Sequence, residues 1–430
     1  MVSFDAQGKL SLKLNAQSPM VHFQAREPGA TIRASEVKPK LDRYLIWKLK
    51  QQTGLDGAEL AKSSKYKDWF RPSTDENVPP TALRYQMQIF CEEAPEIVVL
   101  NLDNDLKNKY KVEEEMARYA KSVSKYPIFY ANSGVKDPKQ QRLGIVSNPT
   151  VVIRCFNNAL QKLIQAHLED FFLVTNFGTM QSKGFGGFAP EEMAFNDPNN
   201  RTELRRAAEL LKAWHGAKHC VLLPVTRVRG GTSFSSAIHT VECFYHLMKS
   251  GYNFKNTNEY DRSFLFKYIH KSPFNIGNEK EWMKKEGISP AIGRKLKLSP
   301  QEEAQPNYYV RALLGTASNV SYLVSENSSK HMSISISSKE IERAPSPIFF
   351  KVLGNSILVV ASQVDKRLYN EPFTFEGYRS DTLWTPPENT PFDADAFLVA
   401  FANHYNELIS NNTLPIYLEG ARTVKEVKPT

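Results

Sequence analysis

Residues 341–364 read IERAPSPIFFKVLGNSILVVASQV, two β-rich runs, IFFKVL and SILVVA, joined by Gly354-Asn355. A two-residue Gly/Asn linker between such runs is the sequence signal of a hairpin. Ser346-Pro347 and the apolar residues after it echo Ser18-Pro19 followed by Met20-Val21-His22-Phe23 near the other end of the chain. The echo predicts two tandem copies of one β-rich unit.

Working outward, KLSLKLNA at 9–16 alternates polar and apolar, as a half-buried strand does, and Ser18-Pro19 interrupts it. Pro39 suits the first turn of a helix running to about Gln52, with Leu41, Tyr44, Leu45 and Leu49 on one face. Residues 85–101 and 143–157 are β-rich. Asn158 is placed to cap a helix reaching Leu173. A helix over 202–214, a strand at 220–225 and a helix over 236–249 follow, and residues 253–306 read as a polar, helix-leaning insertion. The last helix, 393–409, carries Phe397, Leu398, Phe401, Tyr405 and Leu408 as a core stripe. The expected division is a first domain over 1–190 and a second over 191–430.

A chain of 430 residues with 41% hydrophobic content supplies core for two domains or more. Its formal charge of +9 and pI near 9.1 favour polyanionic partners. No apolar stretch approaches the roughly 18 residues that span a bilayer, so the expectation is a cytoplasmic protein with no membrane partner. Cys91, Cys155, Cys220 and Cys243 are scattered, which predicts reduced thiols.

Two stretches combine glycines with cations. TNFGTMQSKGFGGF at 175–188 surrounds Lys183 with Gly178, Gly184, Gly186 and Gly187, and such a bend exposes backbone N–H groups to phosphate. It also reads as an ordinary flexible loop. TRVRGGTSFSS at 226–236 places Arg227 and Arg229 between a strand and a helix N-terminus, a phosphate contact or a plain surface turn.

In SPMVHF (18–23), IRASEVKPKLDRY (32–44), GTMQSKGFGGF (178–188) and ERAPSPIFFKV (342–352) the chain resembles the RAMP superfamily of CRISPR proteins. It is most similar to the capping subunit of type III-B (Cmr) effector complexes. Ala34 and Pro39 stand where the family usually has glycines, and Lys183 stands alone where relatives carry several arginines. The resemblance implies an α+β fold of two tandem ferredoxin-like (RRM-type) domains with helical insertions. It also implies a non-catalytic subunit without a cofactor that holds guide RNA, or its duplex with complementary target RNA, beside other subunits of a ribonucleoprotein. The RNA-binding candidates are Arg33, Ser35, Lys38, Lys40, Arg43, Lys183, Gly184, Phe185, Gly186, Gly187, Arg227, Arg229, Arg343 and Lys351, with Phe23, Trp47 and Phe188 as further stacking faces.

Three alternatives accompany this reading. His22 could deprotonate a 2′-hydroxyl in a metal-independent endoribonuclease, and Asp103, Asp105 and Asp137 are loop acids for the same purpose. His239, Cys243 and His246 share one helix face with Glu242 and use residue types that bind zinc, as do the nearby His215, His219 and Cys220, although both sets also serve as packing residues. The third alternative is a basic protein-interaction scaffold.

Overall fold

The computed structural model describes residues 2–21, 32–73, 78–101, 142–195, 201–227, 233–253, 260–271, 273–288, 304–323, 331–389, 392–414 and 420–427. The first unit runs β1 (Lys9–Ala16), α1 (Ala34–Thr53), β2 (Gln86–Phe90), a hairpin of β3 (Glu96–Asn101) and β4 (Arg142–Val146), β5 (Thr150–Arg154), α2 (Asn158–Val174) and β6 (Phe188–Pro190). Its sheet has the order β2-β5-β1-β6, every neighbour antiparallel.

The alternation in β1 decides which face is which. Leu10, Leu12 and Leu14 are buried against the helices, and Lys9, Ser11 and Lys13 point the other way and are exposed. Helix α1 meets the leucines with Val37, Leu41, Tyr44, Leu45 and Leu49, and α2 does so with Leu160, Ile164, Leu168 and Phe171. Each fully buried side chain of this size contributes about 1.5–3 kcal/mol.

The cap of α2 is Asn157, one residue before the expected Asn158; its Oδ1 accepts the N–H groups of Ala159 and Leu160 at 3.0 and 2.9 Å. Helix α1 begins five residues earlier than expected, so Pro39 lies within it. The ring removes a single donor close to the helix start, and the Glu36–Lys40 pair at 3.2 Å spans the gap.

After α3 (Arg201–His215), the second unit runs β7 (Cys220–Pro224), α4 (Ser233–Lys249), β8 (Asn319–Leu323), β9 (His331–Ser337), β10 (Ile348–Leu353), β11 (Ser356–Ala361), β12 (Pro372–Glu376), β13 (Ser380–Trp384), α5 (Ala394–Ser410) and β14 (Lys425–Glu426). Its main sheet has the order β10-β11-β7-β14, again all antiparallel. Counting only the strands of each main sheet and the long helices that pack on it, both sheets read 2-3-1-4 and both units run strand, helix, strand, strand, helix, strand.

The duplication therefore lies in topology. Ser18-Pro19 follows the first strand of its unit, whereas Ser346-Pro347 precedes the second strand of its own, so the echo joins positions that are not equivalent. The insertion is also larger and more β-rich than expected: β8 and β9 precede β10, β12 and β13 follow β11, and the four make a separate antiparallel sheet.

Strand β11 explains how the units join. Ile357, Val359 and Ala361 face the core made by α4 and α5. Leu358 and Val360 face the opposite way, into the core that contains Ala207, Ala208 and Leu211 of α3 and most of the interior of the first unit. Helix α3 packs on α2 with one side and on β11 with another, so the second sheet is covered on both faces.

Candidate nucleic-acid interface

The glycine loop is a joint within the protein. Its N–H groups donate inward: Gly178 to Glu36 Oε1 (2.8 Å), Gly184 to the Gln181 carbonyl (3.3 Å), Gly186 to the Pro19 carbonyl (2.9 Å) and Gly187 to Ser18 Oγ (2.8 Å). Gly186 has φ +69°, and a Cβ there would collide with the Phe177 carbonyl. Asn176 Nδ2 reaches across to the Phe350 carbonyl at 2.9 Å, and the Phe350 N–H donates to the Ser182 carbonyl at 3.2 Å.

Lys351 completes the joint from β10. It is 0% exposed and donates to the carbonyls of Phe172 (2.7 Å), Thr175 (2.8 Å) and Phe188 (3.2 Å) and to Asn176 Oδ1 (3.3 Å). Burial pulls its ammonium down to a pKa of about 7, while the four oxygens favour the charged form. Lys183 Nζ sits 2.8 Å from the centre of the Tyr245 ring, and burial holds its pKa well below the usual lysine range.

The expected phosphate cradle is thus corrected. Lys351 and Lys183 bridge the two units, the N–H groups of Gly184, Gly186 and Gly187 are consumed by Gln181, Pro19 and Ser18 inside the first unit, and the Phe185 ring is 0% exposed. Phe188 is likewise buried, and Trp47 packs edge-on against Trp214 at 5.2 Å. Two lysines of α1 are also structural. Lys38 donates to Asp42 (2.6 Å) and the Leu83 carbonyl (3.0 Å) and lies over Tyr85. Lys40 donates to Glu36 (3.2 Å), the Asn176 carbonyl (3.0 Å) and Gln181 Oε1 (2.9 Å).

Arg33, Ser35, Arg43, Arg227 and Arg343 remain exposed. His22, Phe23, Arg229, Asp103, Asp105 and Asp137 lie outside the described residues. On α4, Cys243 Sγ is 3.4 Å from His239 Nε2, and His246 Nε2 is 3.7 Å from Glu242. No three His, Cys, Asp or Glu side chains among the described residues converge as metal ligands.

The surface that sequence reading missed is the outward face of the first sheet. Register places Lys9, Arg154 and Gln86 in one row, Ser11, Val152 and Gln88 in the next, and Lys13, Thr150 and Phe90 in the third. Directly paired residues share a face, so the rows form one surface bearing three cations, no carboxylate and a Phe90 ring that is 46% exposed, with Thr150 and Val152 of its middle strand buried beneath the level of the flanking side chains at 7% and 6% exposure. Lys9 and Lys13 are about 13 Å apart along β1 at the usual strand rise. The signal was present: an alternation that buries Leu10, Leu12 and Leu14 turns both lysines outward. Cations spaced along a flat surface, with a ring free to stack on a base, suit single-stranded RNA.

Residues 7–252 match the Cmr1 N-terminal domain and residues 260–426 the Cmr1 C-terminal domain. No curated protein matches the sequence. The apo crystal structure of Cmr1 from Pyrococcus furiosus is similar over 97% of this chain and 98% of that one, with 11% identity and a TM-score of 0.37. No helix among the described residues is long and apolar enough to cross a membrane.

Proposed function

The chain belongs to the Cmr1 family, and from that premise we propose that it is a non-catalytic RNA-binding subunit of a type III-B CRISPR ribonucleoprotein. It holds guide RNA, or the guide paired with target, within a complex of other subunits. Its two units are tandem ferredoxin-like domains, divided after Pro190. The shared strand-helix-strand-strand-helix-strand run and the shared strand order support that assignment.

The observation that carries the RNA reading is the open sheet face with Lys9, Lys13, Arg154 and Phe90. The cations meet backbone phosphates and Phe90 stacks on a base. Arg33, Ser35 and Arg43 lie at or on α1, on the opposite side of the sheet, so with the exposed Arg227 and Arg343 of the second unit they make RNA contacts separate from that face.

The test is guide-RNA binding across a salt series for the intact chain and for Lys9→Glu/Lys13→Glu/Arg154→Glu. If each cation neutralises one phosphate, the log–log salt slope falls by about 2. A folded triple variant with unchanged affinity and slope would overturn the assignment. A slope near zero in the unaltered chain would favour a protein scaffold. Cleavage of labelled guide–target duplex that disappears in His22→Ala would favour an endoribonuclease.

A further inference from the structure

The open sheet face extends beyond its paired rows. Past β5 the alternation of sides continues: Cys155 turns inward and is 1% exposed, and Phe156 turns outward on the side of Arg154. The Cys155 N–H still donates to the Gly8 carbonyl at 2.9 Å, so pairing with the β1 segment holds up to that point. Phe156 stands immediately before Asn157, the cap of α2, where an apolar residue commonly packs against the fourth residue of the helix. Here that residue is Gln161, whose Nε2 donates to the Cys155 carbonyl at 2.7 Å, and the Phe156 ring is left 84% exposed.

Two exposed rings thus stand at opposite ends of one face. Phe90 is paired with Thr150, and Phe156 follows Thr150 by six residues along the same run of chain, which at the usual strand rise sets the two ends about 20 Å apart. The stretch between them carries Lys13, Lys9 and Arg154, and Arg84, exposed at the bend before β2, adds a fourth cation toward the Phe156 end. The nearest carboxylate along β1, Asp5, accepts the N–H groups of Gln7 (2.9 Å) and Lys9 (2.8 Å). Glu92 and Glu93 lie beyond Phe90, outside the stretch.

A track of cations with a stacking ring at each end suits a strand whose bases are free to turn aside. In a duplex the bases are paired and stacked on one another, so rings this far apart on one flat surface cannot both find a base. We propose that this face takes an unpaired RNA tract of about four to six nucleotides, with one base on Phe90, another on Phe156 and the intervening phosphates on Lys13, Lys9 and Arg154. A strand rising about 3.4 Å per nucleotide crosses the distance in about six, and a splayed strand does so in fewer. Paired RNA meets the cations alone. The RNA-binding reading of the face, on which this rests, is thereby narrowed to RNA in single-stranded form.

The test is a fluorescence-anisotropy titration of the intact chain with a labelled unpaired RNA decamer, its blunt duplex with the complementary strand, and a trinucleotide. Phe156→Ala, and Phe156→Leu, which keeps an apolar side chain without a π-face, are compared with the unaltered chain. Each substitution should weaken decamer binding by about 5- to 150-fold, the range for losing one stacked base. The duplex, and the trinucleotide that is too short to reach both rings, should change by no more than about twofold. The unfolding midpoint should stay in place, because the ring is exposed. Salt-dependent decamer binding that ignores both variants overturns the two-ring site and leaves the RNA reading intact, as does a duplex that loses as much as the decamer. Failure of the unaltered chain to bind the decamer overturns both. Variants that bind RNA normally but no longer co-purify with other subunits assign the ring to a protein partner and overturn the site as well.

Discussion

The two main sheets have one strand order and opposite surroundings. In β1 every second residue is exposed, so the first sheet keeps a solvent face with Lys9, Lys13 and Arg154. In β11 five of six residues are buried, because α4 and α5 cover one face and α3 the other. Shared topology thus says little about which surface works: side-chain alternation leaves one sheet a face for a partner, and continuous apolar sequence commits the other to the interior.

The largest test of this contrast removes the bolt between the units. Lys351→Met leaves the Phe172, Thr175 and Phe188 carbonyls without their donor, and we expect a loss of about 3–5 kcal/mol in denaturant unfolding. A loss below about 1 kcal/mol would mean that the joint has other support. Next, Gly186→Ala combines a left-handed backbone with a collision at the Phe177 carbonyl, for an expected cost of about 2–4 kcal/mol by the same measurement.

A pH series sharpens the comparison. The folded pKa of Lys351 is about 7, below the ordinary 10.5, so between those values the unfolded chain holds more protons and stability rises with pH; below pH 7 the cost of the buried ammonium is fully present. The unfolding midpoint should climb from pH 7 to 9.5, less steeply in Lys351→Met than in the unaltered chain. The smallest effect on folding belongs to the open face. Each of Lys9→Glu, Lys13→Glu and Phe90→Ala should change stability by no more than about 0.5 kcal/mol, whereas Phe90→Ala should weaken RNA binding by about 1–3 kcal/mol if its ring stacks on a base.

Much of the fold was legible because periodicity is local. KLSLKLNA gave β1 at its true bounds, Gly354-Asn355 gave the β10–β11 hairpin, and the Phe397–Tyr405 stripe gave α5 as a core helix. The family was legible from four short motifs. The site was less so, since exposure is a tertiary property. Gly186 and Gly187 do permit close backbone approach, as expected, yet what approaches is Phe177, Pro19 and Ser18 of the same chain. Lys351 looks like a surface cation in SPIFFK, and only the carbonyls of a segment far away in sequence reveal it as internal. The β-rich insertion escaped because β9, which pairs with β8 on one side, finds its other partner in β12, beyond β11.

Helix α3 is a wall common to both halves: Ala207, Ala208 and Leu211 belong to the same apolar mass as Leu358 and Val360 of one sheet and Leu10 and Leu12 of the other. A fragment stopping at Pro190 exposes α2 where α3 lay, and one starting at Arg201 strips the same helix of its other support. The shared wall predicts that the pair melts in one cooperative transition, each half acting as the folding partner of the other, and two separate calorimetric transitions would contradict it.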